Sequence, residues 1–110
     1  MPHVAAFFRG ISLTIAFELD RPVAVDELQA VFRQAYAGEQ RICISGEIPQ
    51  VSAVQNTANV HIGGFNVDTR NPAWGSLVVV LDNLLKGAAS QALQNLNLAL
   101  GLDENAGINT

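Results

Sequence analysis

Near the end of the chain the run "LVVVLDNLLKGAA" passes from a purely apolar stretch, 77 to 81, straight into Asp82 and Asn83, with Lys86 and Gly87 close behind. An amide side chain, an ammonium and the free backbone amides at the start of a helical segment suit the polar or anionic groups of a ligand. The same residues have a structural use, with Asp82 as a helix cap and Lys86 as a solvated charge. Arg9 stands before Gly10 and ahead of an alternating run. Its planar fork could grip a phosphate or carboxylate, or it could make a surface ion pair. His3 and His61 stand alone, and His61 lies on the alternate face of a strand, a position that favours packing over catalysis. Cys43, in "RICIS", has apolar neighbours, which predicts a buried, protonated and inert thiol. Gln91, Gln94 and Asn95 are expected to face a partner or solvent, and Trp74 to cover a turn. No residue set here has the spacing of a metal site.

These groups need elements to position them. "ISLTIAFEL", 11 to 19, alternates Ile11, Leu13, Ile15, Phe17 and Leu19 against Ser12, Thr14, Ala16 and Glu18, the pattern of a strand with one wet side. Pro22 ends it. The stretch 25 to 37 puts Leu28, Val31, Phe32, Ala35 and Tyr36 on one helical stripe, with Asp26 and Glu27 at the positive end of the dipole and Gly38 as the stop. A short strand follows at 41 to 45, then a loop or edge segment from Gly46. "NVHIGGFNVD", 59 to 68, shifts phase at Gly63 and Gly64, which predicts a bulge. "TRNPAWG" turns it back into "SLVVVLD" as an antiparallel hairpin whose second strand is covered on both faces. From 84 to 100 a stripe of Leu85, Ala88, Ala89, Ala92, Leu93, Leu96, Ala99 and Leu100 predicts a helix, with Lys86, Ser90, Gln94 and Asn97 on the opposite edge. Gly101 stops it, and a short polar tail follows. The order predicts an α+β fold: an antiparallel or mixed sheet with two helices on one face.

The chain's 110 residues fit one domain, 1 to 110, and 49% hydrophobic content is enough for a modest core. A net charge of -4 argues against nucleic acid and anionic membranes as partners. No apolar run approaches the roughly 20 residues that cross a bilayer, and "MPHVAAFFRG" lacks the form of a secretory signal. The single cysteine fits a reducing compartment, with cytoplasm expected.

The segment "LDNLLKGAASQALQNLNLALGLDENAGI" resembles the C-terminal signature of the N-acetyl-gamma-glutamyl-phosphate reductases of arginine biosynthesis. Its "DNLxKGAA" core is also similar to aspartate-semialdehyde dehydrogenase. "PHVAAFFRGISLT", "RPVAVDELQAVFRQAYAGE" and "GEIPQVSAV" resemble further stretches of the same family in the same order. The resemblance implies a C-terminal catalytic and dimerisation domain of the glyceraldehyde-3-phosphate dehydrogenase C-terminal type. It implies an NADPH-dependent reduction of N-acetyl-gamma-glutamyl phosphate to N-acetylglutamate semialdehyde, through a thioester on a cysteine with a histidine as acid and base. Nucleophile, histidine and the N-terminal Rossmann domain would lie ahead of the matched region. No GxGxxG occurs in this chain, and Cys43 does not match the nucleophile, so the chain holds no catalytic residue on this reading and would be inactive alone. The resemblance further implies NADP-side roles for Asn83, Lys86 and Gly87, Asn83 offering its amide to the nicotinamide carboxamide and Gly87 permitting close approach. It leaves Arg9 for the substrate and Asp82 for fixing the turn. A homo-oligomer formed through the free sheet face is expected, with Ile11, Leu13, Ile15 or Val79 open to a second copy. The alternative is a stand-alone structural or interaction domain of the same fold.

Overall fold

The computed structural model describes residues 1–109. Its strands are β1 (Pro2–His3), β2 (Ile11–Glu18), β3 (Ile42–Ile44), β4 (Val60–Val67) and β5 (Trp74–Leu81). They form one sheet in the order β1-β2-β5-β4-β3. All neighbours run antiparallel except β3 with β4, which is parallel. The expected α+β layer is therefore present in its mixed form. Two helices accompany it, α1 (Val25–Ala35) and α2 (Ser90–Ala99), the second entered through a π-helical turn, Leu85–Ala89.

Apolar alternation decides which face each strand buries. Leu77 and Val79 of β5 point to the side of Phe17, Ile62 and Phe65, where they meet Leu28 and Phe32 of α1. The rings of Phe32 and Phe65 lie 5.1 Å apart at 59°, a tilted contact of the favourable kind. Leu81 continues the same face. A Cβ built on Gly87 would meet Leu81 Cδ1 at 3.1 Å, so the π-helical turn rises on the side that α1 covers.

The second face carries Val80, His61, Val78 and Gly63, joined by the register Val80 to His61 and Val78 to Gly63. Part of it lies under the segment 46–58. Gly63 must be glycine here, because a Cβ would stand 2.1 Å from the Glu47 carbonyl oxygen. Gly64, at φ 62°, forms the bulge with it, and the register slips between Gly63 and Asn66 as the paired glycines predict. Val54, Ala58 and Val80 are fully buried.

Several expectations change. β1 was not foreseen, since two residues carry no periodicity. β5 begins at Trp74, which pairs with Glu18 instead of covering a turn. Cys43 is exposed, not buried: β3 is an edge strand, and its alternate side chain points away from the helix-covered core. Ile11, Leu13, Ile15 and Val79 lie on the face that α1 covers over β3 and β4; of the four, Ile15 is open to solvent as expected, while Ile11, Leu13 and Val79 are half-buried. On the other face the uncovered part is small and polar, with Ala16 and Asn66 exposed beside Ser76.

The largest correction concerns α2. Its buried residues are Ser90, Gln94 and Asn97, the edge expected to face solvent, while Leu96, Leu98 and Leu100 are 54%, 60% and 64% exposed. The cause is the tail, which folds back. Asn97 Nδ2 donates to the carbonyls of Glu104 at 3.0 Å and Ala106 at 2.9 Å. Asn105 Oδ1 accepts from Arg41 Nε at 2.9 Å, and its amide donates to Gln40 at 3.1 Å. A helix whose neighbours are backbone carbonyls and amide side chains buries its amide face, because leaving those groups unpaired would be more costly than exposing leucine.

Candidate functional site

Antiparallel pairing of Ile11 with Leu81 brings the residues before β2 opposite those after β5. Gly10 N–H accordingly donates to Asn83 Oδ1 at 2.7 Å. Gly10 has φ 112° and no room for a Cβ, which would meet Val51 Cγ1 at 2.3 Å. A third strand of chain enters at Asn56, whose φ of 63° is a left-handed conformation that asparagine tolerates better than most residues. Gln55 Nε2 donates to the Arg9 carbonyl at 2.7 Å.

Asp82 ties the three together and is fully buried. Its Oδ1 accepts from the backbone of Leu84 at 2.9 Å and Leu85 at 3.1 Å, and its Oδ2 from the backbone of Asn56 at 2.7 Å. Arg9 adds an ion pair, with Nη2 donating to Oδ1 at 3.1 Å and Nε 2.5 Å from Oδ2. Burial alone pushes the carboxyl up, but the hydrogen bonds from Arg9 and from the Asn56, Leu84 and Leu85 amides outweigh it and hold it below the usual carboxylate value. Asp82 thus fixes the turn by which β5 hands over to the π-helical segment.

Of the residues singled out from the sequence, Arg9 and Asn83 are brought together through Asp82 and Gly10, whereas Lys86 turns toward Gln94 on α2. Arg9 also donates from Nη1 to Asn56 Oδ1 at 2.9 Å. Its fork is mostly committed within the protein, yet a guanidinium has five N–H groups, and its side chain keeps 21% exposure. Asn83 is exposed and accepts through Oδ1, while no partner appears for its amide nitrogen among the described residues. Lys86 donates to Gln94 Oε1 at 2.6 Å, and burial holds its ammonium below the ordinary lysine value. Gly87 is exposed, with its α-carbon against Leu81.

Asn56 and Gln55 were not anticipated. The only signal was an asparagine inside a polar loop, and nothing local to it marks Asp82 as its partner 26 residues away. His3 Nε2 lies 3.1 Å from Thr14 Oγ1 at the sheet's outer edge. His61 and Cys43 face one another across β3 and β4 and line a cleft of about 300 Å³ with Pro49 and Ala53. Among the described residues no group of three metal-ligating side chains occurs.

With this geometry in view, comparison with known proteins is informative. Residues 1–83 match the family model described as semialdehyde dehydrogenase, dimerisation domain. N-acetyl-gamma-glutamyl-phosphate reductase from Xanthomonas campestris pv. campestris (strain B100) is 50% identical over 104 residues, covering 94% of this chain and 33% of the relative. Protein arg11, mitochondrial, from Schizosaccharomyces pombe is 45% identical over 98% of this chain and 12% of its own length. The crystal structure of aspartate semialdehyde dehydrogenase II from Vibrio cholerae superposes with a TM-score of 0.71 at 25% identity, over 86% of this chain and 28% of that one. The chain therefore spans about a third or less of the relatives it matches.

Proposed function

This chain belongs to the semialdehyde dehydrogenase dimerisation-domain family, and from that membership we propose that it serves as the substrate-side and dimerisation domain of an N-acetyl-gamma-glutamyl-phosphate reductase. The observation that carries this reading is the 50% identity to a reductase of that name across 94% of the chain. The chemistry proposed is reduction of an acyl phosphate to an aldehyde. NADPH, when bound, supplies the hydride.

The residues of this chain would bind and orient. Asn83 is held by Gly10, so its free amide has a fixed direction, which suits recognition of a carboxamide. Lys86 supplies a positive charge from the π-helical turn that follows, where Gln94 holds it, and Gly87 leaves the surface low enough for close approach. Arg9, anchored by Asp82, keeps unused N–H groups for a phosphate or carboxylate of the substrate. These assignments fit the donor chemistry present: an unpartnered amide and a guanidinium joined through Gly10 and Asp82, and an ammonium on the π-helical turn that follows. On this reading the dinucleotide would be held by a Rossmann domain, and the nucleophile and histidine would lie ahead of the matched region. The lone thiol fits a reducing compartment, the cytoplasm in bacteria, while the Schizosaccharomyces relative is mitochondrial by name. Two copies would meet through the uncovered part of the sheet.

The test is a chimera in which this chain replaces the matched third of the Xanthomonas reductase. NADPH oxidation with the acyl phosphate is expected in the chimera and not in the isolated chain. A folded chimera without turnover, or turnover by the chain alone, would overturn the reading.

A further inference from the structure

We propose that the hairpin end of the uncovered sheet face is a binding site for a small organic cation carrying a guanidinium group. The register builds it from three strands. Glu18 of β2 stands directly opposite Trp74 of β5, and from the other side Asp68, just past β4, donates its backbone N–H to the Trp74 carbonyl at 2.8 Å. Residues directly opposite one another in an antiparallel pair project to the same face, so an indole stands between two carboxylates. The next row inward on that face is Ala16, Ser76 and Asn66. These three, with Asp68, Trp74 and Gly75, line an open hollow of about 210 Å³. It lies at the opposite end of the eight-residue strand β5 from Asp82, about 25 Å away along the strand, so it is separate from the turn assigned to NADPH and substrate and does not depend on the reductase reading.

What these groups lack selects the ligand. Trp74 is 46% exposed, leaving much of a large ring to water on a polar face. Asp68 Oδ1 accepts from the backbone of Arg70 at 2.7 Å and of Asn71 at 3.0 Å, while its Oδ2 has no partner among the described residues. Glu18 is also without an ion pair there, since the pairs formed are Arg9 with Asp82 and Arg21 with Glu27. The side chains of Asn66 and Ser76 make no hydrogen bond among the described residues either. The set therefore carries two negative charges, an excess of acceptors and one aromatic plane. A guanidinium is planar, permanently charged and donor-only, so it can stack on the indole while its N–H fork meets a carboxylate. The size of the hollow suits such a head group on a short chain, not a folded partner.

Trp74 is the only tryptophan in the chain, so its fluorescence reports on the site directly. The experiment titrates the dilute chain with L-arginine and, separately, with L-citrulline, which has the same shape but an uncharged urea head. L-arginine should change the emission saturably with a Kd on the order of 1 mM or tighter, and L-citrulline should bind at least about tenfold more weakly. Glu18→Gln and Asp68→Asn should each weaken L-arginine at least about fivefold with the melting temperature unchanged. Both substitutions keep side-chain size, and Asp68→Asn retains an oxygen for the turn amides. No saturable change, equal binding of L-citrulline, or variants that bind as wild type does would overturn the proposal. A second copy is expected on the same floor, and sedimentation separates the two occupants. If the variants dissociate a dimer while the dilute wild-type chain binds no L-arginine, the row serves the partner copy and the proposal fails.

Discussion

At the scale of single residues, Asp82 shows how one carboxylate can join three distant pieces of chain. Its folded value is depressed, so its contribution to stability is present above the ordinary carboxylate range and is lost as pH falls through the folded value. Asp82→Asn should therefore destabilise the chain by about 3 kcal/mol at neutral pH, the typical result of breaking a buried pair. In acid, below about pH 4 and toward the folded value, the two proteins should converge; denaturant melts at a series of pH values would check this. A constant gap across pH would mean that shape, not charge, holds the turn. Asn83 and Lys86 are tested differently. In an active chimera, Asn83→Ala and Lys86→Ala should raise KM for NADPH or slow turnover roughly tenfold to a hundredfold, as loss of a charge-assisted or specific hydrogen bond does. Lower melting temperature with unchanged kinetics would assign both to the fold, through Gly10 and Gln94.

At the scale of elements, the inverted helix α2 carries the sharpest contrast. Asn97→Leu would improve helix propensity and hydrophobicity together, yet it removes the donors to Glu104 and Ala106 and leaves two carbonyls unpaired. A loss of about 2 kcal/mol is expected, within the range for buried unsatisfied groups, accompanied by faster proteolysis of the tail. The π-helical turn belongs to the same device. Gly87 N–H reaches the Asp82 carbonyl at 3.0 Å and Ala89 N–H that of Leu84 at 3.2 Å, five residues back in each case. That wider turn lets Lys86 reach Gln94 while Asp82 caps the entry.

For the molecule as a whole, the sheet has one face that α1 covers over β3 and β4 and another only partly roofed by the segment 46–58. The uncovered region around Ala16, Asn66 and Ser76 forms an open hollow of about 210 Å³, and we expect a second copy to approach sheet on sheet there. Sedimentation should show a dimer, and Ser76→Glu should dissociate it by burying unpaired charges about the axis. A monomer at high concentration would argue against that face.

Much of this was legible in order along the chain. Period-two alternation marked β2 and β4, the paired glycines marked the bulge, and Gly38 and Gly101, both at positive φ, marked where helical segments end, because these signals act between near neighbours. The resemblance at "DNLxKGAA" pointed to the turn at Asp82. Only tertiary structure decided which side of α2 is inside, since amphipathicity shows that a helix has two faces but not what lies against each. A tail rich in amides and carbonyls, brought back by Asn97 and Asn105, reversed the choice. The same holds for Cys43, whose exposure follows from β3 taking the edge, and for Asn56, which becomes a partner of Asp82 only when the segment 46–58 lies across the sheet. Local periodicity determines what an element can offer; the competition among all buried polar groups for partners determines what it buries.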